Sequence, residues 1–435
     1  MPMETKIEKL PQSRIRTLTT VTDDERLEAE KLALAFLAEH VDIKGFRVGK
    51  APGDMVRSRV GEEKLTEETV RALLPKVLKE ALEKSGAKPI LRPAASVTST
   101  KPLTIALTFV ERPPVTLKKP DSIKIEKKTF TESTDAEVES FIRKILIQDR
   151  TETPVERAAK SGDLVNLAMV STKKGKPVEE LTVGHYNLVI GSEDLLPQLD
   201  THATGMKKGD KKTVDVTFPK EHDIPAIRGE KISIEMTAKG VSEIKLPELT
   251  QEYLKTRLGS DMTPDAFRAD VKKMLLDRKK SEEMKRREED LYEKVRGATQ
   301  VDVAQEILDA EVQDMVQDLH GRLEQQKISM DDWLKATGKD PKSVVDEMKQ
   351  IASGRIVLRF GMQELALKLN IDADPKLMEV NLAAARKNSA DAGNPIPEEE
   401  LKAGGSVYEQ IRFDLRMQAL VGNMINDEAP KAKAA

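Results

Sequence analysis

The chain has no cysteine, which excludes disulfides, thiolate nucleophiles and cysteine-ligated zinc. Aromatic residues are few: nine Phe, four Tyr and one Trp in 435 residues. With 38% hydrophobic and 34% charged residues, that stock fills several small cores rather than one large enzyme core. An elongated, multi-part, largely helical shape suits it better. An excess of one charge is missing too. Lys and Arg number 72 against 75 Asp and Glu, a net charge of −3, so no global basicity points to DNA or membrane as a partner. The five His, at 40, 185, 202, 222 and 320, are scattered without HExxH or another close ligand pair, and no metal is expected. The longest early apolar run, residues 32–38, falls far short of the roughly 18–20 residues of a membrane span. The first residues mix charges and carry no apolar h-region, so no secretory signal is expected and a cytoplasmic protein is. Neither GxxxxGK[ST] nor GxGxxG after a strand occurs, and no nucleotide or other cofactor is expected.

What is present divides along the chain. Residues 1–115 read as a compact α/β unit. The Thr-rich stretch 15–21 is strand-like, and Asp23 or Asp24 then caps a helix to about His40. Residues 45–52 break the pattern, and Pro52 opens a short helix. In 66–85, Val70, Leu73, Leu74, Val77, Leu78 and Leu82 recur at helical spacing, with Pro75 predicting a kink or a late start. Strands are expected at 103–110 and 123–128. Residues 116–155 form a linker, helical over 134–149. Residues 156–245 switch to period-two alternation, with Val165/Leu167/Met169, Val214/Val216/Phe218 and Ile232/Ile234/Met236 each on one face, and a short helix near 195–203. From 246 to 435 nearly everything is helical, with helices expected at 277–296, 303–323, 344–369 and 407–424. A loop is expected over 387–405 and a disordered tail over 431–435. No internal repeat is visible.

The most informative segment is Gly45-Phe46-Arg47-Val48-Gly49-Lys50-Ala51-Pro52. Two glycines four apart let the backbone turn tightly. Phe46 is held at the turn with Arg47 and Lys50 beside it, and residues 41–60 carry a local charge of +3. An apolar knob between cations suits an RNA-rich or acidic surface. A plain helix–helix connection with Phe46 in the core suits the same spacing. The octapeptide resembles the Gly-Phe-Arg-x-Gly-Lys-x-Pro signature of the bacterial trigger factor family of ribosome-associated chaperones. The likeness extends along the whole chain in the same order: strong at 45–52, clear at 160–250, weaker but continuous beyond. It implies a multidomain α+β fold: an N-terminal α/β ribosome-docking domain, a small antiparallel-β FKBP-like domain, and an extended all-helical C-terminal domain with arms. It also implies that Gly45, Phe46, Arg47, Gly49, Lys50 and Pro52 contact the large ribosomal subunit near the exit tunnel.

The stretches 195–200, 205–210 and 214–219 resemble the FKBP-type prolyl isomerase pattern. That chemistry needs no acid or base. The X–Pro amide resists rotation by about 18–20 kcal/mol, and a dry aromatic pocket that grips the twisted amide lowers the barrier. By resemblance the pocket falls on Met169, Glu179, Tyr186, Leu195, Leu196, Leu199, His222 and Ile234. Tyr186 keeps the family's aromatic character, and Leu195 and Leu196 keep an apolar pair. Met169, Leu199, His222 and Ile234 stand where the family carries aromatics, and Val178 and Glu179 stand where it has an aromatic–acid pair. An isomerase with a remodelled pocket and an FKBP-like scaffold that only binds chain segments are the two readings. Loss of several π-faces removes contact area and shape together, so weak or absent isomerase activity is expected.

Ten of the sixteen Met lie in 246–435. Unbranched thioethers adapt to many partner shapes, while Met at helical spacing serves equally as core; Trp333 and Leu334 are similarly open. Residues 301–323 and 355–380 resemble the family's arm helices, with Ala304 near the place of a usual Pro. The resemblance implies an ATP-independent chaperone whose partners are the large ribosomal subunit and nascent or unfolded polypeptides, and leaves open a homodimer of the free protein. A free prolyl isomerase with a recruiting helical domain, or a non-ribosomal holdase, are the rival readings.

Overall fold

The structure, a computed structural model, describes residues 3–44, 46–192, 197–218 and 227–427. Two compact units arise: Met1–Lys127 with Arg286–Ala435, and Lys128–Lys285.

The first unit begins with strands β1 (Glu4–Leu10) and β2 (Arg14–Thr20), followed by helices α1 (Asp23–His40), α2 (Gly53–Val60) and α3 (Glu62–Ser85), then strands β3 (Ala94–Thr100) and β4 (Leu103–Val110). The strands form an antiparallel sheet in the order β1-β2-β4-β3. Alternation decides which face is covered. Ile15, Thr17 and Thr19 stand opposite Phe109, Leu107 and Ile105, and this face is buried against Leu73, Val77 and Ala81 of α3. Burying each large aliphatic or aromatic side chain contributes about 1.5–3 kcal/mol. The cap of α1 differs from the expected Asp23 or Asp24. Thr22 is the N-cap: its hydroxyl accepts from the Glu25 N–H at 3.3 Å, and the Glu25 carboxylate accepts from the Thr22 N–H at 3.4 Å. Both aspartates sit in the first turn, where their charge favours the helix dipole. Helix α3 starts early rather than late. It runs from Glu62 through Pro75 to Ser85, because packing of its apolar stripe on the sheet outweighs the one hydrogen bond that proline removes.

Strand β5 (Val115–Leu117) follows, but the strand expected at 123–128 is absent. Ile123 and Ile125 are buried as the alternation required. Side chains rather than a neighbouring strand meet the carbonyls that alternate with them: Lys294 donates to the Lys124 carbonyl at 2.9 Å and Arg286 to that of Glu126 at 2.7 Å.

In the second unit, helix α4 (Asp135–Gln148) opens with a capping box between Thr134 and Glu137. Strands β6 (Thr151–Pro154), β7 (Leu164–Lys173), β8 (Lys176–Pro177) and β9 (Val183–Val189), helix α5 (Pro197–Ala203), and strands β10 (Lys211–Thr217) and β11 (Lys231–Lys245) follow. The sheet runs β10-β11-β7-β8, with β6 on β11 and β9 on β7. The 15-residue β11 serves three partners, and a bulge between Ala238 and Gly240 shifts its register against β7. Helices α6 (Gln251–Leu258) and α7 (Pro264–Ala298) come next. Val138 and Ile142 of α4 share a core with Val271 of α7.

The chain re-enters the first unit within α7, at Arg286. Strand β12 (Thr299–Val301) pairs with β5. Helices α8 (Gln305–Gln325), α9 (Met330–Thr337), α10 (Pro341–Lys368), α11 (Pro375–Asp391) and α12 (Ser406–Ile425) complete it. The expected loop at 387–405 therefore begins only after Asp391, and the arm stretch 355–380 is broken between Lys368 and Pro375. Ala304 is the N-cap of α8 and makes no side-chain cap bond. Val110 joins Ala304, Ile307, Ile356 and Phe360 in one core. Arg287 of α7 is fully buried and donates to the Ile425 carbonyl and the Asp427 carboxylate, each at 2.8 Å, which fixes the end of α12. Among the described residues, no helix is long and apolar enough to cross a membrane, and no group of His, Asp and Glu could hold a metal ion.

Candidate functional site

The octapeptide leaves α1 and enters α2, and its base is anchored. Ile43 and Val56 are buried with Leu37 and Leu65, and Ala51 packs against them. Three backbone bonds fold the loop on itself: Phe46 N–H to Ile43 O at 3.1 Å, Lys50 N–H to Arg47 O at 2.9 Å, and Gly49 N–H to Ala38 O at 2.9 Å. Gly49 has φ +81°, a conformation that L side chains avoid. Pro52 stands at the N-cap of α2. Gly45 lies outside the described residues.

The tip is left out of the core. Phe46 is 41% exposed and Val48 58%. Arg47 and Lys50 are exposed, and neither forms an ion pair among the described residues. Arg57, counted in the local +3, is engaged internally: it meets Glu30 at 2.9 Å and Glu62 at 2.7 Å. Its hydrogen bond holds the Glu62 carboxyl below the usual carboxylate range. The charge available to a partner thus comes from Lys44, Arg47, Lys50 and Arg59. A large aromatic kept in water on a fixed base, beside cations without an ion pair among the described residues, has the makings of a docking knob.

The eight residues of the isomerase comparison separate. Met169 stands between Val183 of β9 and Met236 of β11. Ile234 stands between Val214 and Ser171. Both belong, with Leu199 of α5, Val178 and Phe218, to one core in which they are 4%, 1% and 0% exposed in the order Met169, Ile234, Leu199. Tyr186 is half-buried and packs on that core, while Glu179 is exposed. Leu195, Leu196 and His222 lie outside the described residues. Met169, Leu199 and Ile234 therefore present almost no surface of their own.

The methionines of the helical region divide. Met262 and Met274 are exposed, Met362 and Met378 are buried, and the other six are half-buried. Met362 and Met417, with Tyr292, Leu358, Phe413 and Val421, line a groove of about 420 Å³ between α7, α10 and α12. The Tyr292 hydroxyl donates to Glu288, and burial together with that carboxylate pushes its pKa up to about 12. Trp333 and Leu334 of α9 are both half-buried. Sequence reasoning did not find this groove, because it depends on which helices meet.

Comparison with known proteins gives three matches along the chain. The family described as bacterial trigger factor protein matches residues 3–145, and its C-terminal counterpart matches 263–401. The FKBP-type peptidyl-prolyl cis-trans isomerase family matches 155–246. The trigger factor of Staphylococcus saprophyticus is 25% identical over 94% of this chain and 93% of its own length. That of Shouchella clausii is 25% identical over 98% of both chains. A solved structure of a trigger factor chaperone is 21% identical, with 97% of this chain and 99% of that one covered and a TM-score of 0.43.

Proposed function

This chain belongs to the bacterial trigger factor family, and we propose that it docks beside the exit tunnel of the large ribosomal subunit through residues 45–52. It is a ribosome-associated chaperone with an FKBP-type domain. Residues 1–115 act as the docking domain, 116–155 as a linker, 156–245 as the isomerase-like domain and 246–435 as the chaperone domain. The reading is of a cytoplasmic, ATP-independent holdase for nascent and unfolded chains, with neither DNA nor membrane as a partner.

One observation carries the docking assignment: Phe46 is 41% exposed on an anchored turn, and Arg47 and Lys50 are without carboxylate partners among the described residues. Phosphate oxygens accept from those cations, and the ring takes an apolar niche. Isomerase activity is reduced, because Met169, Leu199 and Ile234 offer interior aliphatic or thioether atoms where a prolyl ring needs accessible aromatic walls. The groove around Tyr292 and Phe413 suits apolar client side chains, each weakly held, with avidity from several contacts at once.

The test is ribosome co-sedimentation of the full chain with Phe46→Ala, Arg47→Ala and Lys50→Ala combined. Loss of the pelleted fraction is expected; binding equal to that of the parent protein contradicts the assignment. Sedimentation of the free protein reads out whether a homodimer covers the loop off the ribosome.

A further inference from the structure

Strand β3 overhangs its own domain. Val97 and Ala95 stand opposite Ile105 and Leu107, on the face that the helices bury, yet Val97 is 41% exposed and Ala95 is exposed as well. The helical layer covers β4 and stops short of β3. Beneath the overhang lies a cavity of about 690 Å³, bounded by α1, the start of α3 and the β3–β4 hairpin.

The two edges of this sheet are guarded differently. The β1 edge carries Glu4, Lys6, Glu8 and Lys9, charges that discourage further pairing. The β3 edge reads Ala-Ala-Ser-Val-Thr-Ser-Thr, without a charge, and among the described residues pairs with β4 alone. Its unpaired backbone groups form a template for an added strand.

The cavity below supplies a preference. Glu30 and Glu62 are both held by Arg57, and Glu63 also lines the cavity. Arg26 also lines the cavity, and its Nε is buried without a hydrogen-bond partner. Lys101 lines the same cavity and forms no ion pair among the described residues. A buried guanidinium donor without an acceptor is costly, and a carboxylate is the acceptor that best relieves it.

We propose that the β3 edge binds an extended polypeptide segment by strand addition, with an Asp or Glu of that segment entering the cavity beneath to accept from Arg26 and Lys101. The occupant is unfolded client chain, bound on the docking domain itself. The site rests on the chaperone reading only for the source of that chain.

The experiment uses the full chain without ribosomes, so its failure leaves the docking assignment untouched. The probe is a dye-labelled peptide of about nine residues, alternating Thr and Val with one central Glu, read by fluorescence anisotropy. Its Gln twin should bind about tenfold more weakly, one charge-assisted hydrogen bond's worth. A copy N-methylated at every residue, which leaves no backbone donor on either edge, should not bind. Arg26→Gln should abolish the Glu-over-Gln preference. Val97→Lys, an exposed position, should abolish binding with unchanged circular dichroism. Equal affinity for the Glu and Gln peptides, binding of the methylated copy, or a concentration-dependent dimer removed by Val97→Lys would each overturn the proposal.

Discussion

The backbone N–H of Gly49 donates to the carbonyl of Ala38 at 2.9 Å, tying the exposed loop back to the last turn of α1. That bond needs φ +81° at residue 49. A Cβ there would meet Glu39 Cγ at an ordinary 3.5 Å, so the obstacle to a side chain is conformational and not steric crowding. Gly49→Ala should cost about 1–2 kcal/mol locally and lower ribosome affinity, while Lys50→Ala lowers affinity with no loss of stability. Urea unfolding and co-sedimentation of both variants separate the two effects.

A second glycine is required by packing. A Cβ on Gly361 of α10 would lie 2.1 Å from Thr299 Oγ1 and 2.8 Å from Val295 Cγ1. The hydroxyl is held by its bond to the Val295 carbonyl at 2.6 Å, so turning it away loses a buried hydrogen bond. Gly361→Ala should destabilise the first unit by about 1–3 kcal/mol. An unfolding midpoint equal to that of the parent protein contradicts this contact.

Restoring an aromatic should not restore isomerisation. Ile234 is 1% exposed in a filled core, so Ile234→Phe should overpack at a cost of about 1–3 kcal/mol. In a protease-coupled prolyl peptide assay, the parent protein should turn over slowly and this variant no faster. Rapid turnover by the parent protein would contradict the reading of the pocket.

Asp372, in the turn between α10 and α11, accepts from Arg412 and Arg416 of α12. The Arg412 hydrogen bond holds its carboxyl well below the usual carboxylate range. A depressed folded pKa means that this contribution is complete above the unfolded pKa of about 4 and disappears as pH falls through the folded value. Asp372→Asn should therefore lower stability at pH 7, and the gap from the parent protein should narrow steadily below about pH 4. Urea titrations across that range measure it; a gap independent of pH would contradict the pair.

Much of the architecture was legible where apolar residues recur on one buried face. The stripe on α3 and the alternation of β7, β10 and β11 were such cases. Strands β1 and β3 were not, since their residues are largely exposed and their pairing is dictated by β2 and β4. Helix α11 carried a start signal, Asp374 accepting from Lys376 and Leu377 ahead of Pro375. Its Leu377 and Val380 are exposed, so no stripe announced it. Within the loop, sequence placed Phe46 and its cations together but left open whether the ring faced water. It counted Arg57 as available, and only the fold brings Glu30 within reach. The Arg26 cavity was invisible for the same reason, since it depends on which strand overhangs the helices.

The salt dependence of ribosome binding tests the docking assignment most directly. Each phosphate contact contributes a slope of roughly 0.7–0.9 to the fall of log affinity with log salt. Arg47→Ala with Lys50→Ala should flatten the slope by about one to two. Phe46→Ala should weaken binding roughly tenfold or more at every salt concentration and leave the slope unchanged. Parallel, superimposed lines for the parent protein and all three substitutions would contradict the account.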